Sequence, residues 1–338
     1  MGSSASKAAL RATTDEPSEP GPKHLADLIQ YINGTNRSVE HLADILSEKT
    51  RSSSWVVVFK ALITVHHLMV HGNERFIQHL ASRNSLFTLY NFLDKSVIEG
   101  YTMSTFIRRY SRYLNEKSLA YRLIAYDITK TKRGTDGVMR TMNTEELLNT
   151  LAVIQTLFDA LLYFNANPDE ITNGIIHAAF MLLFKDFLRL FAAYNEGILN
   201  LLGKYFDMRK NQCKESLGIY IRFLERTTKL AQFLKVAKQV GIDQNDIPYL
   251  NQCLTVMWQT CLGWDWRNGE KSVKRERVMM WGEEIERIWD PEHGASSSGL
   301  RAVQTYVSGP HPSSELQGHK LGDLADGSAL LGTSFALA

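Results

Sequence analysis

Helical periodicity is the feature of this sequence that most constrains its fold. From Lys23 to about Ile247 the apolar residues recur at helical spacing, and no stretch sustains the alternation of a half-buried strand. The 338 residues include only 8 prolines, which leaves room for long uninterrupted helices. We therefore predict an all-α fold in which successive antiparallel helices stack on their neighbours.

Capping and breaking residues set the predicted ends of these helices. Asn33-Gly34 separates the first two, Asn73 can cap the helix that follows it, and Asn167-Pro168 with two acidic residues behind it predicts a helix start. Helices are expected over residues 24–32, 38–46, 55–70, 74–81, 102–126, 144–162, 167–194, 195–208 and 214–238. The last of these is amphipathic, with one apolar and one charged face.

Two stretches, over residues 55–70 and 175–194, are apolar enough to compare with membrane spans. The charged and histidine residues that interrupt them are Lys60, His66, His67, His177, Lys185, Asp186 and Arg189. A membrane-spanning helix needs about 20 residues with almost no charge. Both stretches are therefore predicted to be buried helices of a soluble domain, the first of them in a central position.

The two ends of the chain differ in composition from its centre. Residues 1–22 are rich in Ser, Thr, Glu, Pro and Gly, so we predict a flexible segment, and they lack the apolar stretch of a secretory signal. Residues 251–289 are rich in Trp, Met and charge and form a separate segment that we consider a candidate helix, whereas 290–338 are predicted to be disordered. The three cysteines indicate reduced thiols in a cytosolic protein.

The sequence carries no recognisable catalytic motif. It has no glycine-rich phosphate loop, no nucleophile elbow and no zinc-protease motif. His67 and His71 have the spacing of a helical metal pair, but Leu68 occupies the position of the required glutamate and no third ligand is evident. We predict no enzyme activity, no metal and no cofactor, and the net charge of +2 argues against a nucleic-acid partner.

Two groups of basic residues are candidates for an anionic partner. The larger group is Arg108, Arg109, Arg112, Lys117, Lys130, Lys132 and Arg133, for which a solvated helix face with internal ion pairs is the alternative explanation. The smaller group is Arg11, Lys23 and His24, beside the predicted start of the first helix. Cations next to the free N–H groups of a helix start can hold a phosphate, so this group is the candidate phosphate site.

A dense set of sequence segments resembles one known family. The segments are residues 55–64, 66–70, 72–78, 80–84, 103–117, 137–142, 178–186, 191–197 and 233–237. They are similar to the ANTH domain of the phosphatidylinositol-binding clathrin assembly proteins, over residues 5–250. The resemblance implies a right-handed helical solenoid over residues 23–250, of the ANTH, ENTH and VHS type, that docks on phosphatidylinositol 4,5-bisphosphate at the plasma membrane.

The resemblance also implies which residues contact the lipid. The family's motif is a basic residue, Ala-Thr, six residues, Pro, and then Lys-x-Lys-His. Here Arg11 opens the motif and Lys23-His24 close it, which makes these three the expected headgroup ligands. Gly21 stands where the motif has its first lysine, so one cation is missing. At about 1 kcal/mol for each cation near an anionic membrane, the loss of one or two predicts binding weakened by roughly five- to thirtyfold.

Further partners and locations follow from the same resemblance. The later helices of the family form a groove for vesicle-associated SNARE proteins, in which Leu202 matches an apolar position and Thr227 replaces the usual methionine. Clathrin is an expected partner, although the short Asp-Pro-Phe and Asn-Pro-Phe motifs of family tails are absent. The expected location is cytoplasmic and peripheral on coated pits and vesicles, with the Golgi as a further candidate. The alternative function is a SNARE- or cargo-binding scaffold with weak or no lipid binding.

Overall fold

The computed structural model describes residues 4–34, 38–83, 86–134 and 136–242, without the side chains of Phe206, Leu224 and Thr227. Within these ranges the regular structure is helical throughout. The α-helices are α1 (Ser4–Ala12), α2 (Pro22–Asn33), α3 (Val39–Lys49), α4 (Trp55–His71), α5 (Glu74–Ser82), α6 (Ile98–Ile124), α7 (Val138–Thr141), α8 (Thr144–Leu162), α9 (Gly174–Lys204) and α10 (Lys210–Gln239). The predictions for residues 251–289 and 290–338 lie outside the described residues.

The chain divides into two compact units. Of the described residues, those in 4–130, 152–191 and 233–242 belong to the first unit, and those in 131–151 and 192–232 belong to the second. Both units draw on helices α8, α9 and α10. Among the described residues, no helix is long and apolar enough to cross a bilayer.

Helix α4 forms the centre of the first unit, as its apolar sequence predicts. All but three of its 17 residues are buried. It packs against α1, α2, α3, α5 and α6, so neighbours surround it on most sides. The expected cap of the next helix is also present, because the Asn73 side chain accepts a hydrogen bond of 3.0 Å from the backbone N–H of Arg75.

The prediction of an irregular segment over residues 1–22 is wrong for residues 4–12, which form helix α1. Four alanines at helical spacing, Ala5, Ala8, Ala9 and Ala12, are buried on one face of this helix. Alanine has the highest helix propensity, and its small side chain lets α1 approach α2 and α3 closely. Because the segment is polar overall and its apolar stripe is narrow, the composition of residues 1–22 did not predict this helix.

The predicted break near Tyr194 is also wrong, because α9 runs unbroken through it. A short 3₁₀ turn, Glu170–Thr172, occupies the predicted start, and α9 begins at Gly174 with the Asn173 side chain accepting from two backbone N–H groups. Gly197 lies within this helix, and a Cβ atom there would lie 2.6 Å from Cε of Met139 and 2.8 Å from Cδ2 of Leu151, so a larger residue would require these two side chains to move.

A buried polar cluster joins α4, α6 and α9 inside the first unit. One carboxylate oxygen of Asp186, Oδ2, accepts hydrogen bonds from Lys117 Nζ at 2.5 Å, Tyr113 Oη at 2.6 Å and His66 Nε2 at 2.9 Å. The Tyr110 hydroxyl lies 2.7 Å from the other ring nitrogen of His66. All five side chains are buried, so the cluster is a network whose members depend on one another.

Protonation states within this cluster follow from burial and charge. Burial raises the pKa of Asp186, but the charge of Lys117 and the hydrogen bonds from Lys117 and His66 outweigh it, and the pKa lies well below its usual value. Burial lowers the pKa of His66, so its ring is neutral. Its Nε2–H therefore donates to the carboxylate, and its Nδ1 accepts from the Tyr110 hydroxyl.

Candidate functional site

The candidate phosphate site lies at the N-terminus of α2. Arg11 is exposed in the last turn of α1, Lys23 is exposed in the first turn of α2, and His24 beside it is half-buried. Gly21 is the N-cap and supplies no side-chain cap to the N–H groups of this first turn. Because α1 and α2 pack against each other, the structure brings the two parts of the sequence motif into the same region.

Gly21 shapes the site through the space that it leaves. Its backbone carbonyl accepts from the N–H groups of His24 at 3.0 Å and Leu25 at 3.2 Å. A Cβ atom at this position would lie 3.3 Å from Cδ2 of the His24 ring, a tight contact. His24 Nδ1 is enclosed and has no hydrogen-bond partner within the described part of the chain. A lysine at position 21 would thus add a cation and also displace His24.

Buried Lys60 holds the segment that joins α1 to α2. Its Nζ donates to Thr14 Oγ1 at 3.0 Å and to the carbonyl of Glu16 at 3.1 Å, and its side chain is almost fully buried in α4. The neighbouring Thr13 hydroxyl donates to the carbonyl of Ala9 at 2.8 Å and prolongs the end of α1. Burial lowers the pKa of Lys60, opposed by the negative charge of Glu16. Lys60 therefore positions the segment between Arg11 and Lys23.

Sequence reasoning missed this function of Lys60. It treated the lysine only as an interruption that excludes a membrane span. The available signal was a single cation inside an otherwise apolar helix, because a buried charge needs a polar partner from elsewhere in the chain. The identity of that partner could not be read from the sequence, since Thr14 lies 46 residues away.

The segment that leads into α2 lies beside the N-terminal half of α4, where Lys60 contacts Thr14 and Glu16. The other end of α2 lies beside the end of α4, because the methyl groups of Ile32 lie 3.4 Å from where a side chain at Gly72 would begin.

Residues of the larger basic group have partners within the protein, which agrees with the alternative explanation of a solvated helix face with internal contacts. Arg108 donates to a backbone carbonyl at 2.7 Å, and Arg109 donates to another at 3.2 Å. The guanidinium groups of Arg109 and Arg112 lie 5.5 Å and 5.1 Å from the ring centre of Tyr163. Lys117 belongs to the buried cluster, and Lys130 donates to a backbone carbonyl at 3.0 Å. These five residues thus have contacts inside the first unit, whereas Lys132 and Arg133 belong to the second unit, where Lys132 lies 3.9 Å from Asp136.

The two candidate SNARE-groove residues lie in the second unit. Leu202 is half-buried in the last part of α9. Thr227 belongs to α10, but its side chain lies outside the described residues. The groove therefore stays a prediction from the family resemblance.

His67 and His71 lie side by side on α4, with ring centres 4.6 Å apart. No group of three metal-ligating side chains occurs among the described residues. Burial, followed by the positive charges of neighbouring groups that include Lys185, lowers the pKa of each ring to about 4. Both rings are therefore neutral at pH 7 and remain so well below the usual pKa of histidine.

This pKa shift predicts that acid destabilises the protein. Between pH 7 and pH 5 an unfolded His67, with a pKa near 6.5, takes up a proton that the folded form does not, so the free energy of unfolding falls as the pH falls. After allowance for solvent screening we expect a loss of about 1 kcal/mol from His67. Urea unfolding at both pH values should show a smaller loss in His67→Gln, with His177→Gln, at an exposed histidine, as the control. An equal loss in both variants would contradict the assignment.

Comparison with known proteins decides the family. The model of the ANTH domain matches residues 4–253. The chain belongs to the ANTH domain family. The predicted all-α ANTH fold and family membership are thereby confirmed.

Curated relatives extend this result. The chain is 67% identical over 251 residues to the phosphatidylinositol-binding clathrin assembly protein of Rattus norvegicus, covering 74% of this chain and 39% of the relative. It is 59% identical over 259 residues to the clathrin coat assembly protein AP180 of Homo sapiens, covering 77% of this chain and 29% of the relative. The chain thus spans less than two fifths of the length of these relatives.

A solved structure shares the ANTH fold. It is the cryo-EM structure of helical ANTH and ENTH tubules on PI(4,5)P2-containing membranes, with a TM-score of 0.59 and 16% identity. The match covers 82% of this chain and all of the other chain. At this identity the similarity concerns the fold alone.

Proposed function

We propose that this ANTH chain is a non-enzymatic endocytic adaptor module. It docks on phosphatidylinositol 4,5-bisphosphate at the cytoplasmic face of the plasma membrane and acts in clathrin-coated vesicle assembly. The observation that carries the proposal is that Lys23 and His24 lie in the first turn of α2, which has no side-chain cap, and that α1, with Arg11 in its last turn, packs against α2. It is supported by the lipid named for the relatives at 67% identity and by the membranes named for the solved ANTH tubules.

The chemistry of this site suits a phosphorylated headgroup. Arg11 and Lys23 supply full positive charges at exposed positions, and the half-buried ring of His24 lies beside Lys23. Pro22 has no N–H, and the N–H groups of His24 and Leu25 donate to the carbonyl of Gly21, so α2 contributes the positive end of its dipole and the N–H of Lys23. At about 1 kcal/mol for each cation near an anionic surface, these groups together increase affinity by roughly a hundredfold over a neutral surface.

Clathrin-coated pits and vesicles are the proposed location of the chain. The names of the relatives as clathrin assembly proteins support this placement. Binding of vesicle-associated SNARE proteins at Leu202 and Thr227, and a location at the Golgi, stay predictions that rest on family resemblance.

Charge reversal tests the lipid site directly. Lys23→Glu combined with His24→Glu should reduce co-sedimentation with liposomes that contain the bisphosphate lipid by roughly a hundredfold, since it removes attractive groups and adds repulsion. The matched control is Lys214→Glu with His177→Glu, which makes the same exchanges at exposed positions of α10 and α9. The proposal fails if the unaltered chain binds these liposomes no better than neutral ones, or if the two double variants bind equally.

A further inference from the structure

An exposed apolar segment lies between α5 and α6. Residues 90–101 are called the apolar segment here. Its exposed large apolar side chains are Tyr90 (74% exposed), Leu93 (42%), Val97 (46%), Ile98 (92%) and Tyr101 (54%). Elsewhere in the described ranges the exposed large apolar residues are scattered along the chain. Single exposed apolar residues are ordinary, but a contiguous group marks an interaction surface.

The backbone beneath the apolar segment is fixed by Asp94. The buried carboxylate of Asp94 accepts from the N–H of Trp55 at 2.9 Å and from the N–H and hydroxyl of Ser96 at 2.8 Å and 2.5 Å. The N–H of Asp94 donates to Ser104 Oγ at 2.9 Å. A Cβ atom at Gly100 would lie 2.6 Å from the carbonyl oxygen of Asp94, so glycine permits this close turn. The segment is therefore presented in one conformation, which lowers the entropy lost on binding.

The apolar segment and the phosphate site lie at the same end of α4. The hydrogen bond from Trp55 to Asp94 places the apolar segment at the N-terminus of this helix. Lys60 follows about 7.5 Å further along the helix axis and holds the segment that leads from Arg11 to Lys23. The apolar segment and the segment between Arg11 and Lys23 are thus both held by the N-terminal half of α4.

We propose that the apolar segment is a second membrane contact, whose side chains enter the interfacial region of a bilayer that presents the phosphorylated headgroup to Arg11, Lys23 and His24. This inference rests on the proposed lipid-binding function. The shape of the apolar segment favours a bilayer over a protein partner. Ile98 and Tyr90 protrude almost uncovered, and protruding side chains suit a soft phase that closes around them. Tyrosine is also enriched at membrane interfaces, and the exposed charges of Lys95 and Glu99 in the segment balance each other.

Shortening two protruding side chains tests the proposal. Val97→Ser combined with Ile98→Ser should weaken binding to liposomes of phosphatidylcholine and phosphatidylinositol 4,5-bisphosphate by about tenfold or more, because apolar burial is lost. Affinity for the free inositol trisphosphate headgroup in solution should not change, since the phosphate site is intact. The matched control, Leu119→Ser with Leu123→Ser, removes two exposed apolar side chains from the other end of α6.

The outcomes separate this proposal from the function on which it rests. Weakened liposome binding with unchanged headgroup binding, seen only in the variant of residues 97 and 98, supports a membrane contact. Unchanged liposome binding overturns it and assigns the segment to a protein partner. Equal weakening in the control pair also overturns it, because the effect is then not specific to this segment. Absence of both headgroup and liposome binding in the unaltered chain refutes the proposed function itself.

Discussion

Asp186→Asn is expected to lower the free energy of unfolding of the first unit by about 3–5 kcal/mol. The substitution removes the negative charge that balances buried Lys117 and exchanges an acceptor for an amide. The Tyr113 hydroxyl and the Nε2–H of His66 donate to the same oxygen and lose a charged acceptor. Urea unfolding followed by circular dichroism measures the effect, with Asp27→Asn on the exposed face of α2 as the control.

A second substitution shows whether the uncompensated charge causes this loss. Asp186→Asn combined with Lys117→Met removes both charges of the pair, and it should recover part of the stability that the single substitution loses. The two groups do not interact if the losses in free energy of unfolding of the two single variants add up in the double variant. That result would show that the explanation is wrong.

Lys60→Met is expected to weaken liposome binding by about tenfold although Lys60 is buried. The substitution removes the two hydrogen bonds that hold the backbone between Arg11 and Lys23, each worth about 1–2 kcal/mol to the ordered segment. That segment then samples several conformations, and the three headgroup ligands are less often in place together. Liposome titration at a temperature where the variant is folded measures the loss.

A companion variant distinguishes positioning from a general loss of stability. Thr14→Val removes one acceptor of Lys60 at an exposed position, so it should weaken liposome binding while leaving the urea midpoint nearly unchanged. Binding that falls only in proportion to the unfolded fraction, in both variants, would show that Lys60 stabilises the fold without positioning the lipid site.

Helix positions were predictable from the sequence where a wide apolar face or a strong cap marked them. The central position of α4 and the bounds of α8 follow directly from apolar periodicity. The prediction failed for α1, because its alanines have little hydrophobicity and their apolar stripe is weak.

The residues of the candidate site were predictable only in part. Arg11, Lys23 and His24 follow from a motif that is local in sequence. The contact of Lys60 with Thr14 and the anchor of the apolar segment on Trp55 join residues about 40 or more positions apart, and no local pattern predicts such pairs. Buried polar side chains indicate that partners exist, and only the tertiary structure identifies them.

The buried cluster has a consequence for how short a working piece of this protein can be. The phosphate site uses the first two helices, yet the only carboxylate that Lys117 contacts among the described residues comes from Asp186, in α9. A fragment that ends before α9 would retain Lys117 without its counter-charge and His66 without the acceptor of its Nε2–H, and it would expose the apolar sides of α4 and α6. The proposed membrane-binding end of the chain is therefore not a separable peptide, because the helices that support it depend on residues far downstream.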